Sequence, residues 1–142
     1  MIDNERYQAE QMVLRAKLPS SAYRFMDMNT SHPYIVLAAR TNAGNVYTLR
    51  IELAEFPIDV PRAFVTKMLY SKRGERLDSP SAAMHTLSSE HGWTRICHYG
   101  SNSWNPYVSV YKIYVKCRLW LEMYELHLKT GRNIDYYLKH QS

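Results

Sequence analysis

The stretch that decides the fold is Gly92-Trp93-Thr94-Arg95-Ile96-Cys97-His98-Tyr99-Gly100-Ser101-Asn102-Ser103-Trp104-Asn105-Pro106. It places a cysteine on a short, tight segment. Trp104-Asn105-Pro106 then reads as a helix start: Asn105 suits the N-cap, and Pro106 suits the first turn, where its missing N–H costs nothing. The expectation is a thiol on a loop just ahead of a rigid helix that runs from Pro106 to about Lys129. Ile113, Cys117, Trp120, Leu121, Tyr124 and Leu128 fall on one apolar stripe of that helix at helical spacing. Gly131 follows as a C′ glycine. Asn133 to His140 reads as a short final helix or tail.

Working outward toward the N-terminus, residues 71–89 are polar and turn-rich and read as one long loop. Before that loop lies a β region. Tyr47, Leu49, Ile51 and Leu53 alternate with Thr48, Arg50 and Glu52, the period of a strand with one wet face. Tyr34 to Arg40 is a nearly continuous apolar run, joined to that strand by the turn-forming Thr41-Asn42-Ala43-Gly44-Asn45. Phe56-Pro57 and Val60-Pro61 break the second strand, and a third spans Ala63 to Leu69. Residues 20–33 read as irregular or as a short strand. Residues 3–17 read as a helix, with Asp3 as N-cap, Glu5 in the first turn, and Ala9, Met12, Val13 and Ala16 on its inner face. The fold class is therefore α+β: N-terminal helix, three-stranded antiparallel meander, active-site loop, long helix. With 142 residues and no internal repeat, 1–142 is one domain.

Composition narrows the function classes. A hydrophobic fraction of 46% argues for a packed core and against disorder. No run of 18 apolar residues occurs, so no membrane partner is expected. Met1-Ile2-Asp3-Asn4-Glu5 lacks the basic-then-apolar form of a signal peptide, which predicts a cytoplasmic protein. The net charge of +5 is scattered, without a basic stripe or an aromatic-basic motif, so nucleic acid is not the expected partner. The two cysteines, Cys97 and Cys117, are not a disulfide framework. Cys117 lies inside the apolar stripe and reads as core, which leaves Cys97 as the thiol available for chemistry. Arg95 and His98 flank it, and His85 and His91 stand upstream. Nearby positive charge favours a thiolate, and a flanking imidazole can move a proton. His85, His91, Cys97 and His98 have the types of a zinc set but no recurrent ligand spacing, so no metal is assigned. No local signature of a cysteine protease is present.

The order helix, meander, F-P-x-x-x-P, long loop, I-C, W-N-P resembles the ubiquitin-conjugating enzyme family. Phe56-Pro57 and Pro61 stand where the family carries a tyrosine-proline turn and a second proline. Cys97 follows Ile96 as the family's catalytic cysteine follows an aliphatic residue, and Trp104-Asn105-Pro106 stands where a Trp-(Ser/Thr)-Pro opens the crossover helix. The resemblance covers roughly residues 3–130. It implies a cofactor-free transferase in which Cys97 carries a protein C-terminus as a thioester and passes it to an amine, with His85 and His98 as further catalytic candidates. The family's His-Pro-Asn is here His85-Thr86-Leu87, two residues further from the cysteine, without the Asn. Oxyanion stabilisation is then expected from backbone N–H groups near Cys97 or from His85. The shortened, divergent form is similar to bacterial conjugating enzymes of anti-phage defence operons (CBASS, short type II). That implies as partner a CD-NTase, a cGAS-like nucleotidyltransferase, whose C-terminus is joined to a target protein or small amine. The alternatives are a bacterial ubiquitin-like protein as the carried partner, or a non-catalytic binding scaffold of the same fold.

Overall fold

A computed structural model describes residues 2–100 and 102–139. The chain begins with helix α1, Asn4–Lys17, capped by Asp3, whose carboxylate accepts the Arg6 amide at 3.4 Å. A 3-10 turn, Ser20–Ala22, leads into strands β1 (Tyr23–Met26), β2 (Tyr34–Arg40), β3 (Val46–Glu52) and β4 (Ala63–Val65). These form an antiparallel meander. Strands β5 (Thr86–Glu90) and β6 (Trp93–Ile96) then extend it, giving one six-stranded sheet in the order β1-β2-β3-β4-β6-β5. Helix α2, Val110–Thr130, and a short α3, Ile134–Lys139, complete the fold. The class is α+β, as the residue pattern predicts. No helix among the described residues is long and apolar enough to cross a membrane.

Alternation places the core. Ile35, Leu37 and Ala39 of β2, and Tyr47, Leu49 and Ile51 of β3 followed by Leu53, are all buried on one side. Helix α2 contributes Ile113, Cys117, Trp120, Leu121 and Tyr124 to the same core. Its polar residues hold it to the β2–β3 turn: Arg118 Nε donates to the Arg40 carbonyl at 2.9 Å, and Glu122 accepts the Asn42 amide at 2.9 Å. Gly131 ends the helix in the left-handed region, and its amide bonds the His127 carbonyl at 2.8 Å.

The structure departs from the sequence pattern in several places. The loop over 71–89 is shorter, because Thr86–Glu90 pairs with Trp93–Ile96 as a hairpin. The third strand stops at Val65 rather than Leu69. Helix α2 starts at Val110, not Pro106: Ser109 is the N-cap, its hydroxyl accepting the Lys112 amide at 3.1 Å, whereas Asn105 caps only a turn by accepting the Tyr107 amide at 2.9 Å. Leu128 leaves the stripe and lies on the rim of an open groove with Asn42 and Leu126.

The inner face of α1 also differs. Ala9, Met12 and Ala16 are exposed, and the helix buries Glu10 and Leu14. A buried carboxylate is costly unless it is paired and hydrogen-bonded. Glu10 meets that condition, bonding Arg6 Nε at 2.8 Å and the Val110 amide at 2.7 Å. Arg6 in turn donates to the carbonyls of Pro106 and Val108, and its guanidinium lies 4.7 Å from the centre of the Phe56 ring. This cluster fixes the chain between the Cys97 loop and α2.

Candidate functional site

The β5–β6 hairpin positions Cys97. His91 and Gly92 at its turn both have positive φ, 60° and 75°, the conformation of a tight turn matched to strand twist. Thr86 pairs with Ile96 at the opposite end, so Cys97 leaves the sheet beside His85. The Cys97 amide donates to the His85 carbonyl at 3.0 Å. His85 itself occupies the left-handed region, φ 51°, a sparsely populated state for a non-glycine residue that persists only when its surroundings hold it.

The segment after Cys97 is pinned to the proline turn. His98 Nε2–H donates to the Pro61 carbonyl at 2.7 Å. Trp104 Nε1–H donates to the carbonyls of Pro57 and Ile58 at 3.0 and 3.2 Å, and its ring meets Phe56 and Tyr99 edge-on. Phe56-Pro57…Pro61 and Cys97…Trp104, far apart in sequence, are thus one unit. The Cys97 thiol is half-buried in a cavity of about 510 Å³ lined also by His85, His98, Tyr99, Lys116 and Leu138. Lys116 brings a cation from α2, its ammonium 3.8 Å from the centre of the Tyr99 ring.

Arg95 lies on β6, two residues before Cys97. Burial lowers the pKa of its guanidinium, while Glu90, 3.8 Å away, and the charge of a Cys97 thiolate favour the cation. Cys117, on α2, is fully buried, and burial pushes its thiol up to about 12.

His85 and His98 are brought to the same cavity but differ in environment. His98 is held down to about 4 by burial, opposed by its bond to Pro61 and assisted by Lys116 and Arg95. It is neutral at pH 7, with Nε2–H committed to Pro61 and a buried Nδ1 that finds no hydrogen-bond partner among the described residues. That environment suits an anchor of the loop rather than a proton carrier. His85 Nε2 contacts Asp135 Oδ1 of α3 at 2.9 Å, with both side chains partly exposed. His91 stays at the hairpin turn, its ring 5.0 Å from that of Trp93, and does not join the cavity. Among the described residues no group of three His, Cys, Asp or Glu side chains is placed to hold a metal.

Sequence reasoning missed Lys116 and Asp135. Both come from C-terminal helices, and only the packing of α2 and α3 brings them to the loop. A larger cleft, about 850 Å³, lies across the Met84–Thr86 segment, lined by Lys72, Arg73 and Arg76 but by no cysteine. No protein-family model matches the chain, and no curated protein or solved structure matches it.

Proposed function

We propose that the chain is a ubiquitin-conjugating-like cysteine transferase and that Cys97 is its acyl carrier. The observation that supports this reading is the union of the F-P-x-x-x-P turn with the Cys97 loop through His98 and Trp104, which leaves the thiol open to a cavity. A surface thiol on a braced loop, beside cations and backed by a helix, is what thioester transfer needs.

In the first step the Cys97 thiolate attacks the carbonyl carbon of an activated protein C-terminus. The C–S bond to Cys97 forms and the activating thiolate leaves. In the second step an amine attacks the same carbon, the C–N bond forms, and the Cys97 thiolate is expelled. The oxyanion of each tetrahedral intermediate needs donors. The Cys97 amide is already committed to His85, so the amides of His98 and Tyr99, which donate to no acceptor among the described residues, and the Lys116 ammonium fill this role. They stand in for the Asn that the family carries. The carried protein is a CD-NTase in an anti-phage defence system or a bacterial ubiquitin-like protein; both call for the same chemistry at Cys97.

The test is to mix the protein with an activated C-terminal thioester and follow the adduct on a non-reducing gel. A thiol-sensitive adduct that disappears in Cys97→Ala is expected. One that persists in Cys97→Ala overturns the reading.

A further inference from the structure

We infer that Asp135 and His85 form a carboxylate–imidazole pair that removes the proton from the amine attacking the Cys97 thioester, His85 as the base and Asp135 as its positioning residue. This rests on the reading of Cys97 as acyl carrier and adds the group that drives its discharge.

The contact is between His85 Nε2 and Asp135 Oδ1, 2.9 Å apart. A carboxylate only accepts, so Nε2 carries the hydrogen and Nδ1 is left as the basic nitrogen. His85 and Cys97 line one cavity and are joined by the bond from the Cys97 amide to the His85 carbonyl. The left-handed backbone of His85 lets one residue serve both neighbours. Asp135 is itself fixed: its amide donates to the Ala83 carbonyl at 2.9 Å, and Ile134 beside it is fully buried. Leu138 of the same helix lines the cavity, so α3 forms one wall of it.

The other titratable groups facing the cavity do not fit the task. His98 has its Nε2 committed to Pro61 and its ring largely buried. Lys116 is a cation held at the Tyr99 ring, and burial raises the pKa of the Tyr99 hydroxyl. Cys97 is the leaving group. In this step the amine nitrogen bonds to the carbonyl carbon, its proton passes to His85 Nδ1, the C–S bond breaks with its electron pair on Cys97, and the imidazolium later releases the proton to water.

The experiment uses the full chain, acylated on Cys97 with a short peptide 2-mercaptoethanesulfonate thioester and separated from excess reagent. Discharge per mole of loaded protein is measured with free lysine and with hydroxylamine. Hydroxylamine is largely unprotonated at neutral pH and needs no base. The ratio of the lysine rate to the hydroxylamine rate is expected to fall about a hundredfold in His85→Gln and about tenfold in Asp135→Asn, the scale of general base catalysis. Loading with an unchanged ratio, or a parallel loss of both rates, overturns this inference alone. Failure of wild-type Cys97 to load overturns the underlying reading as well.

Discussion

The carboxylate of Glu10, buried on α1, accepts the amide of Val110, the first residue of α2, at 2.7 Å. A polar side chain on the inner face of one helix thus caps another, and with Arg6 it fixes the chain that leads from the Cys97 loop to α2. Replacing Glu10 by Ala takes the acceptor from the buried Val110 amide and from Arg6 Nε–H, while the rest of the guanidinium keeps its bonds to the Pro106 and Val108 carbonyls. Stability to urea is expected to fall by about 3 kcal/mol. A loss below about 1 kcal/mol contradicts the assigned role of this contact.

The two thiols should react very differently. With iodoacetamide at neutral pH, native protein takes up one label, located at Cys97 by peptide mass analysis. Cys117 labels only after unfolding, because burial holds it protonated. Native labelling at Cys117 contradicts the packing of α2.

His98 makes folding sensitive to acid. Its folded pKa, about 4, lies below the ordinary histidine value, so the unfolded chain binds the extra proton. Its neutral form contributes fully above the ordinary value near 6.5, and the contribution is lost as pH falls toward 4, amounting to roughly 3 kcal/mol at the acid end. In His98→Gln the slope of stability against pH over that window should flatten. An unchanged slope contradicts the buried, neutral ring.

The start of α2 can be tested by cap substitutions. Ser109→Ala is expected to cost about 1 kcal/mol. Asn105→Ala, which removes only a turn contact, should cost less than about half of that. The reverse ranking moves the helix start back to Pro106.

What was legible in the sequence followed from local rules. Alternation from Tyr47 to Leu53 gave the buried face of β3, and Asp3 and Gly131 marked helix ends by their capping chemistry. The β5–β6 hairpin was not legible because its inward positions include Thr86 and Thr94, which read as loop residues. They are buried because their hydroxyls are satisfied: Thr94 Oγ1 donates to the Leu77 carbonyl at 3.0 Å and accepts the Leu69 amide at 2.9 Å. The inner face of α1 departs from its apolar pattern for the same reason, since Glu10 is buried only by virtue of its partners. At the site, His98 stands beside Cys97 in the sequence itself, whereas the link from His85 to Cys97 came from the family resemblance. Asp135 and Lys116 were not, because their approach depends on how α2 and α3 cross the loop.

The most direct measurement is the intact mass of the protein after exposure to an activated peptide thioester. Wild type should gain one acyl group that thiol removes. Cys97→Ser should hold the same mass as a thiol-resistant ester, and Cys97→Ala should gain none. An acyl group carried equally by Cys97→Ala, or located on Cys117, contradicts the account.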